Sequence, residues 1–134
     1  MIPNTNNLLT MDLEVETQSS RSYKMHIQDD RISGMCDGIE AMEQLVYKIL
    51  NTDRYMYPIY TWNFGVEFSD LIGEPVSYVC AEIERRITEA LTQDNRIVSV
   101  SDFEFDISKK HEVVCAFIVR TIFGDIENEQ GVTY

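Results

Sequence analysis

The chain has 134 residues and a formal net charge of −12, with 44% hydrophobic and 25% charged residues. Its length suits a single domain with a hydrophobic core of its own. A surface this acidic repels phosphate groups and anionic lipids, so we expect neither nucleic acid nor a membrane as a partner.

The three cysteines, Cys36, Cys80 and Cys115, lie far apart in the sequence and lack CxxC spacing. We therefore expect free thiols, and neither a disulfide framework nor a zinc site. The sequence also lacks the alternating acidic loop that binds calcium. We expect no metal and no cofactor.

The N-terminal segment, residues 1–22, is polar and irregular, which predicts an extended arm that becomes ordered on a partner or along a sheet edge. Apolar and polar residues then alternate from Tyr23 to Met35 on either side of Asp29-Asp30. This alternation predicts a β-hairpin.

A helix over residues 38–51 is predicted next. Asp37 and Glu40 form a capping-box pattern, in which each side chain can accept a hydrogen bond from an unpaired backbone N–H. Apolar residues at helical spacing follow them and form one continuous stripe.

An aromatic segment runs from Tyr55 to Trp62. Because Pro58 cannot donate a ladder hydrogen bond, this segment is predicted to be an edge strand or an irregular extended stretch. Its aromatic residues fit either the core or an exposed protein contact, and both interpretations stay open. We take Tyr60, Trp62 and Phe64 as candidate partner contacts.

Two more helices are predicted in the middle of the chain. Residues 67–72 resemble a short helix stopped by Gly73. Pro75 suits the first turn of a second main helix, since its missing N–H would be unpaired there. An apolar stripe carries this helix to Thr92.

The C-terminal third is predicted to be β-structure. The apolar parity changes at Ser101, which indicates a β-bulge. Residues 112–119 are apolar on both parities, as expected of a central strand covered on both faces. Residues 127–134 are predicted to leave the domain as an acidic tail.

Together these elements predict an α+β fold. Two main helices and a short helix are expected to pack on a mixed or antiparallel sheet of about four strands, behind an extended N-terminal arm. The predicted boundaries are an arm at 1–22, one domain at 23–126 and an acidic C-terminal tail at 127–134.

The order of residues from Ile59 to Gly73, then a helix, then Asp94 to Val100, resembles the baseplate wedge and sheath-initiator family of contractile phage tails and related injection machines. The subgroup that it resembles most is that of defective, bacteriocin-like prophages of Gram-positive bacteria. The similarity covers about residues 23–126.

That family has a Phe-Gly turn, a short helix ending near a glycine, a long helix, and a Glu-Pro-Arg motif that opens a strand. Phe64-Gly65 matches the turn, and Gly73 matches the glycine that ends the short helix.

The motif position reads Asp94-Asn95-Arg96, in which only the arginine is retained. The resemblance implies that these three residues bind a partner. The residues themselves also allow another interpretation, in which Arg96 is a corner arginine paired with Asp94 or Asp102.

The resemblance implies a structural protein of the wedge around the tail tube, with no catalytic residues. Its sheet would offer edges to which the first ring of sheath subunits adds strands. The implied partners are other baseplate wedge proteins and tail sheath subunits, with several copies per baseplate. The implied location is the tail particle, and the bacterial host cytoplasm during assembly.

An enzymatic alternative stays open at this point. The broader family has carried a lysozyme-like label, and Asp70 and Glu74 are four residues apart, so a tail-associated peptidoglycan hydrolase would use them as paired carboxylates. The two histidines, His26 and His111, lie in no recognisable catalytic motif.

Overall fold

The structure is a computed structural model that describes residues 16–134. Most of the predicted arm therefore lies outside the described residues. The elements in chain order are β1 (Ser22–His26), β2 (Arg31–Cys36), α1 (Gly38–Leu50), α2 (Val76–Thr92), β3 (Ile97–Asp106), β4 (Glu112–Thr121) and β5 (Gly124–Thr133). The α+β class and the two main helices are confirmed.

The strands form two small antiparallel sheets, one with the order β1-β2 and one with the order β3-β4-β5. The prediction of a single sheet of about four strands is wrong. The hairpin joins α1 instead of the other strands: the Gln44 side chain on α1 accepts from the N–H of Met25 at 2.8 Å and donates to the carbonyl of Tyr23 at 2.7 Å. A side chain of α1 thus bonds backbone groups of β1 that a neighbouring strand would otherwise use.

Helix α1 begins as predicted, but its cap differs from a capping box. Asp37 accepts from the N–H of Gly38 at 2.7 Å, and the hydroxyl of Ser20 donates to the same carboxylate. Glu40 forms an ion pair with Lys24 on β1. The cap therefore also holds the chain that leads into the hairpin.

The predicted short helix over residues 67–72 is only a 3-10 turn at Ser69–Leu71. Leu71 is fully buried and anchors this turn in the core. Helix α2 then begins directly after Pro75, as the position of that proline predicts.

The core lies between the two helices and one face of the three-stranded sheet, with α2 against β3 and α1 against β5. Its fully buried large side chains are Met42, Val46, Leu71, Val79, Ile83, Ile87, Leu91, Val113 and Val119. No helix within residues 16–134 is long and apolar enough to cross a lipid bilayer.

Strand β3 carries the predicted bulge. Its register against β4 shifts between Ser101 and Glu104, and Asp102 there has a φ of 58°. The bulge lets Val100 and Phe103 both pack against the core despite their odd spacing. A second shift between Ile97 and Ser99 leaves Val98 exposed.

Strand β4 is central, as predicted, but the prediction that it is covered on both faces is wrong. Val113, Cys115, Phe117 and Val119 are buried against the helices. The alternate residues Val114, Ala116 and Ile118 face the other side and are only partly buried.

Residues 127–134 do not form a tail that leaves the domain. They belong to β5, which pairs with β4 in an unbroken register from Thr121↔Gly124 to Glu112↔Thr133. Ile126 and Val132 bury their side chains in the core, while the acidic residues between them alternate outward. Because most residues of this segment are acidic or polar, the alternation of buried and exposed side chains along β5 was not recognised in the sequence.

Candidate partner-binding site

The segment from Thr52 to Val66, which we call the aromatic loop, is closed at its base by backbone contacts. The N–H of Arg54 donates to the carbonyl of Val66 at 3.3 Å, and the N–H of Val66 donates to the carbonyl of Thr52 at 3.0 Å. Between these contacts the chain forms turns and no strand. The segment is irregular, as one of the two predictions had it, but it is folded into turns and is not extended.

Gly65 makes this closure possible. Its φ is +94°, and a Cβ at this position would lie 2.5 Å from the carbonyl oxygen of Thr52. Both the left-handed backbone and the close approach require glycine. The Phe-Gly turn of the sequence is therefore the point where the aromatic loop closes.

The aromatic side chains of the loop stack on each other. Tyr60 and Phe64 lie 4.3 Å apart, between ring centroids, and nearly parallel. Tyr55 lies 5.5 Å from Trp62, and Tyr57 contacts the edge of Tyr60 at 6.4 Å. These contacts order the loop through its own side chains, as in a compact Ω-loop.

Only Phe64 packs against the core, while the other candidate aromatics are exposed. Trp62 is 78% exposed and Tyr60 38%. Ile59, which is not among the candidate contacts predicted from the sequence, is 86% exposed and lies beside Pro58 in the same uncharged run. The loop thus presents several exposed apolar side chains, of the kind that mark protein contacts.

The residues Asp94, Asn95 and Arg96 form the corner between α2 and β3. The Arg96 guanidinium donates through Nε and Nη2 to the two carboxylate oxygens of Asp94, at 2.9 and 2.7 Å. Its Nη1 donates to the carbonyl of Ser19 at 3.1 Å. Arg96 is 9% exposed, and Asn95 is exposed.

This corner is electrostatically satisfied within the chain. The Arg96 guanidinium holds the pKa of Asp94 below its ordinary value, through a hydrogen bond to the carboxylate that outweighs the cost of burial. Pairing with Asp94 is thus the arrangement found, and Asp102 has no role in it. Arg96 also holds the end of the N-terminal segment at Ser19.

A groove of about 310 Å³ separates the aromatic loop from this corner. Phe64 and Asn63 line one side, Gln93 and Asp94 the other, and Gln18 of the N-terminal segment also contributes. The structure therefore brings together Phe64, with Tyr60 stacked on it, and Asp94, with Arg96 behind it. Trp62 and Asn95 lie outside this groove.

Of the two carboxylates proposed for glycoside cleavage, Glu74 is exposed and Asp70 is held in an ion pair. Arg86 donates through Nη2 to Asp70 at 2.8 Å, and it also contacts Glu82 at 3.0 Å. The Arg86 guanidinium lowers the pKa of Asp70. A general acid for glycoside cleavage needs a raised pKa, so this environment favours the opposite protonation state.

The other groups that could carry catalysis are not assembled into a site within residues 16–134. Burial raises the pKa of the Cys115 thiol to about 12, which disfavours the reactive thiolate. His26 bonds the carbonyl of Ser33 at 3.1 Å, and His111 lies beside Tyr134. The described residues contain no group of three side chains that could hold a metal ion.

Within residues 16–134, no strand pairs with the outer edge of β5, which is therefore called its free edge. The N–H of Tyr134 donates to the carbonyl of His111 at 3.0 Å, which extends the β4–β5 ladder by one pair. Because bonded and non-bonded pairs alternate in an antiparallel ladder, even-numbered residues of β5 bond to β4. The odd-numbered residues direct their N–H and C=O groups to the free edge: Asp125, Glu127, Glu129, Gly131 and Thr133.

Comparison with known proteins agrees with the resemblance seen in the sequence. The family described as contractile injection system sheath initiator matches residues 9–124. The chain is also 39% identical over 129 residues to the phage-like element PBSX protein XkdS of Bacillus subtilis (strain 168), with 90% of each chain covered. This chain therefore belongs to the contractile injection system sheath initiator family.

Proposed function

We propose that this chain is a structural protein of a phage-type tail baseplate that links the wedge to the sheath and initiates sheath assembly by β-strand addition. Membership of the sheath initiator family supports a structural role in the tail. The single observation that carries the finer proposal is the free edge of β5, which is ten residues long and has no register shift.

The two edges of the three-stranded sheet differ in a way that selects β5. Strand β3 is interrupted by two register shifts, and bulges of this kind protect an edge from pairing. Strand β5 has an unbroken register and presents evenly spaced donors and acceptors. An incoming strand of a sheath subunit would bond these main-chain groups, a mode that gives affinity without any catalytic motif.

The contact with other wedge proteins is assigned to the aromatic loop and the adjacent corner. Tyr60 and Trp62 supply exposed, rigid aromatic surface, and Asn95 supplies an exposed amide. Asp94 and Arg96 contribute by shaping this surface, since their charged groups are already bonded to each other. Several copies of the chain would act in each baseplate, after assembly in the bacterial cytoplasm.

The hydrolase alternative lacks a comparable observation. It requires two carboxyl groups that face one cleft, yet Asp70 is bound by Arg86 in a geometry that favours the ionised form, and Glu74 does not line the pocket that contains Asp70. We therefore expect no lysis of cell walls by the purified protein in a turbidity assay. Hydrolysis that disappears in Asp70→Asn would support the enzyme instead.

Gly131 offers a direct test of strand addition at β5. Its N–H is directed away from β4, so proline at this position removes no hydrogen bond of the β4–β5 ladder, and edge strands are where sheets tolerate proline. Gly131→Pro should fold and unfold like the unmodified protein but yield tails without sheath. The proline removes a donor and places its ring where the incoming strand would lie.

Gly131→Ala is the matched control, because it adds a side chain and keeps the N–H. Its added Cβ meets only the mobile end of the Glu112 side chain, at 3.0 Å. We expect normal sheathed tails from this variant. Normal sheathed tails from a folded Gly131→Pro protein would show that strands are not added at this edge.

A further inference from the structure

The outer face of the three-stranded sheet, opposite the helices, forms an open groove of about 530 Å³. All of its lining residues belong to β3, β4 and β5. Its floor includes Ala116 and Ile118, which with Val114 form an apolar stripe along the outer face of β4 that is only partly buried. No other segment within residues 16–134 lines this groove.

The sequence of β4 is typical of a strand whose outer face is covered by another layer of protein. A strand with one face in water normally alternates apolar and polar residues, whereas β4 is apolar on both faces from Val113 to Val119. The helices bury one set of these residues and leave the other set partly exposed. A second layer would give β4 the environment that its composition predicts.

Carboxylates flank the apolar stripe on both sides. Asp102 and Glu104 lie on β3, and Glu127 and Glu129 lie on β5. The register sets Glu104 and Glu129 on either side of Ala116. None of these four carboxylates takes part in an ion pair within residues 16–134.

We propose that this face binds a basic amphipathic helix of a different protein. The two rows of carboxylates lie two strand spacings apart, about 10 Å, which matches the diameter of an α-helix with its side chains, about 10–12 Å. The apolar side of such a helix packs on the stripe. Its lysine and arginine residues, on both flanks, pair with the carboxylates of β3 and β5.

The charge of the face argues against two other occupants. Residues 1–15 contain Asp12 and Glu14 and no lysine or arginine, so the chain's own N-terminal segment would be repelled. A second copy of the chain carries the same net charge of −12 and would be repelled as well. A basic partner satisfies both the apolar stripe and the unpaired carboxylates.

This binding is independent of strand addition at β5. Strand addition uses main-chain groups in the plane of the sheet, whereas the helix would contact side chains that stand perpendicular to that plane. The following test needs only the purified protein and a peptide. Its failure would therefore leave the proposed role in sheath assembly unaffected.

The probe is a synthetic helical peptide of about 18 residues, five turns, with leucine and alanine on one side and lysine on both flanks. A twin peptide has glutamate in place of every lysine. Titration is followed by the NMR signals of the methyl groups of Val114, Ala116 and Ile118. We expect the lysine peptide to shift these signals, the twin to leave them unchanged, and the affinity to fall as salt is raised.

Two variants with equal changes of charge locate the binding. The first neutralises the face, with Asp102→Asn, Glu104→Gln, Glu127→Gln and Glu129→Gln. The control neutralises exposed acids elsewhere, with Asp29→Asn, Glu43→Gln, Glu74→Gln and Glu84→Gln.

The first variant should lose at least about tenfold in affinity and the control less than about twofold, because close charge pairs contribute more than net charge. Thermal unfolding confirms that each variant is folded. Equal losses in both variants, unchanged methyl signals at Val114, Ala116 and Ile118, or equal binding of the twin peptide would each overturn the proposal.

Discussion

The α2–β3 corner and the aromatic loop were both candidate contacts, and they use their side chains in opposite ways. At the corner, the charged groups of Asp94 and Arg96 bind each other and Ser19. In the loop, Trp62 and Ile59 are left largely exposed, although burial would favour both. Charged residues that satisfy one another support the fold, whereas exposed apolar residues on an ordered loop are available to a partner.

The largest expected effect tests whether the loop is held by its backbone. Gly65→Ala should lower the free energy of unfolding by about 3 kcal/mol, since the added Cβ lies 2.5 Å from the oxygen of Thr52 and the φ of +94° is unfavourable. Chemical denaturation measures this loss. If Gly65→Ala unfolds at the unmodified midpoint, the base of the loop is not rigid.

Gly73→Ala separates the two causes. Gly73 also has a positive φ, of +87°, but a Cβ there meets nothing within 4 Å. We expect this control to lose only about 1 kcal/mol, from backbone conformation alone. The difference between the two variants then measures the close approach at Thr52.

The next effect tests whether Arg96 is structural. Arg96→Ala removes a nearly buried guanidinium and leaves the Asp94 carboxylate without its partner. It should lower the free energy of unfolding by about 2 kcal/mol, because the carboxylate that remains loses its hydrogen-bond partner in a largely buried position. The resemblance alone predicted an exposed contact, for which the loss would be under about 1 kcal/mol.

Arg96→Lys sharpens this prediction because it keeps the charge and loses the planar fork. Lysine cannot bind both oxygens of Asp94 and the carbonyl of Ser19 together. We expect it to recover about half of the lost stability in urea denaturation. If both variants are as stable as the unmodified protein, Arg96 is not needed for the fold, and its role as a partner contact would be supported instead.

The pH dependence of stability gives a smaller effect at the same corner. The pKa of Asp94 is lowered in the folded state, mainly by the hydrogen bond from Arg96. Its contribution is therefore fully present above the unfolded pKa, about 4, and is lost as the pH falls through the lower folded value.

Asp94→Asn should accordingly be less stable than the unmodified protein at neutral pH, by about 1–2 kcal/mol. The difference should shrink below about pH 4. Urea titrations of both proteins between neutral and acidic pH measure it. A difference that does not change with pH would contradict an ionised Asp94 as the source of this stability.

Local patterns were sufficient to predict the two main helices and the bulge, because periodicity and capping residues lie within one element. Helix α1 and the register shift near Ser101 followed from spacing alone. The contact between Arg96 and Ser19 joins residues 77 positions apart, which no local pattern reveals. The docking of the hairpin on α1 likewise involves Gln44, a polar residue whose partners on β1 lie about 20 positions away.

Strand β5 shows why composition can mislead. Ile126 and Val132 are its two buried apolar residues, separated by acidic and amide residues whose alternation carries the strand period. The same region provides the edge that strand addition would use. In the aromatic loop, the presence of Pro58 correctly predicted that the segment is not a central strand. The stacking of its aromatic side chains became visible only in the structure, where the loop closes at Gly65.

The smallest effect on stability is expected at Trp62, a largely exposed side chain of the aromatic loop, and it tests whether this loop is the contact with a partner. Trp62→Ala should change the free energy of unfolding by less than about 0.5 kcal/mol, because the side chain is 78% exposed. The same variant should reduce incorporation into baseplates, since exposed tryptophans are frequent anchors of protein contacts. Tyr23→Ala is the matched control, with a side chain 72% exposed on the hairpin. A folded Trp62→Ala protein that enters baseplates as well as Tyr23→Ala would show that the aromatic loop is not the contact with the wedge.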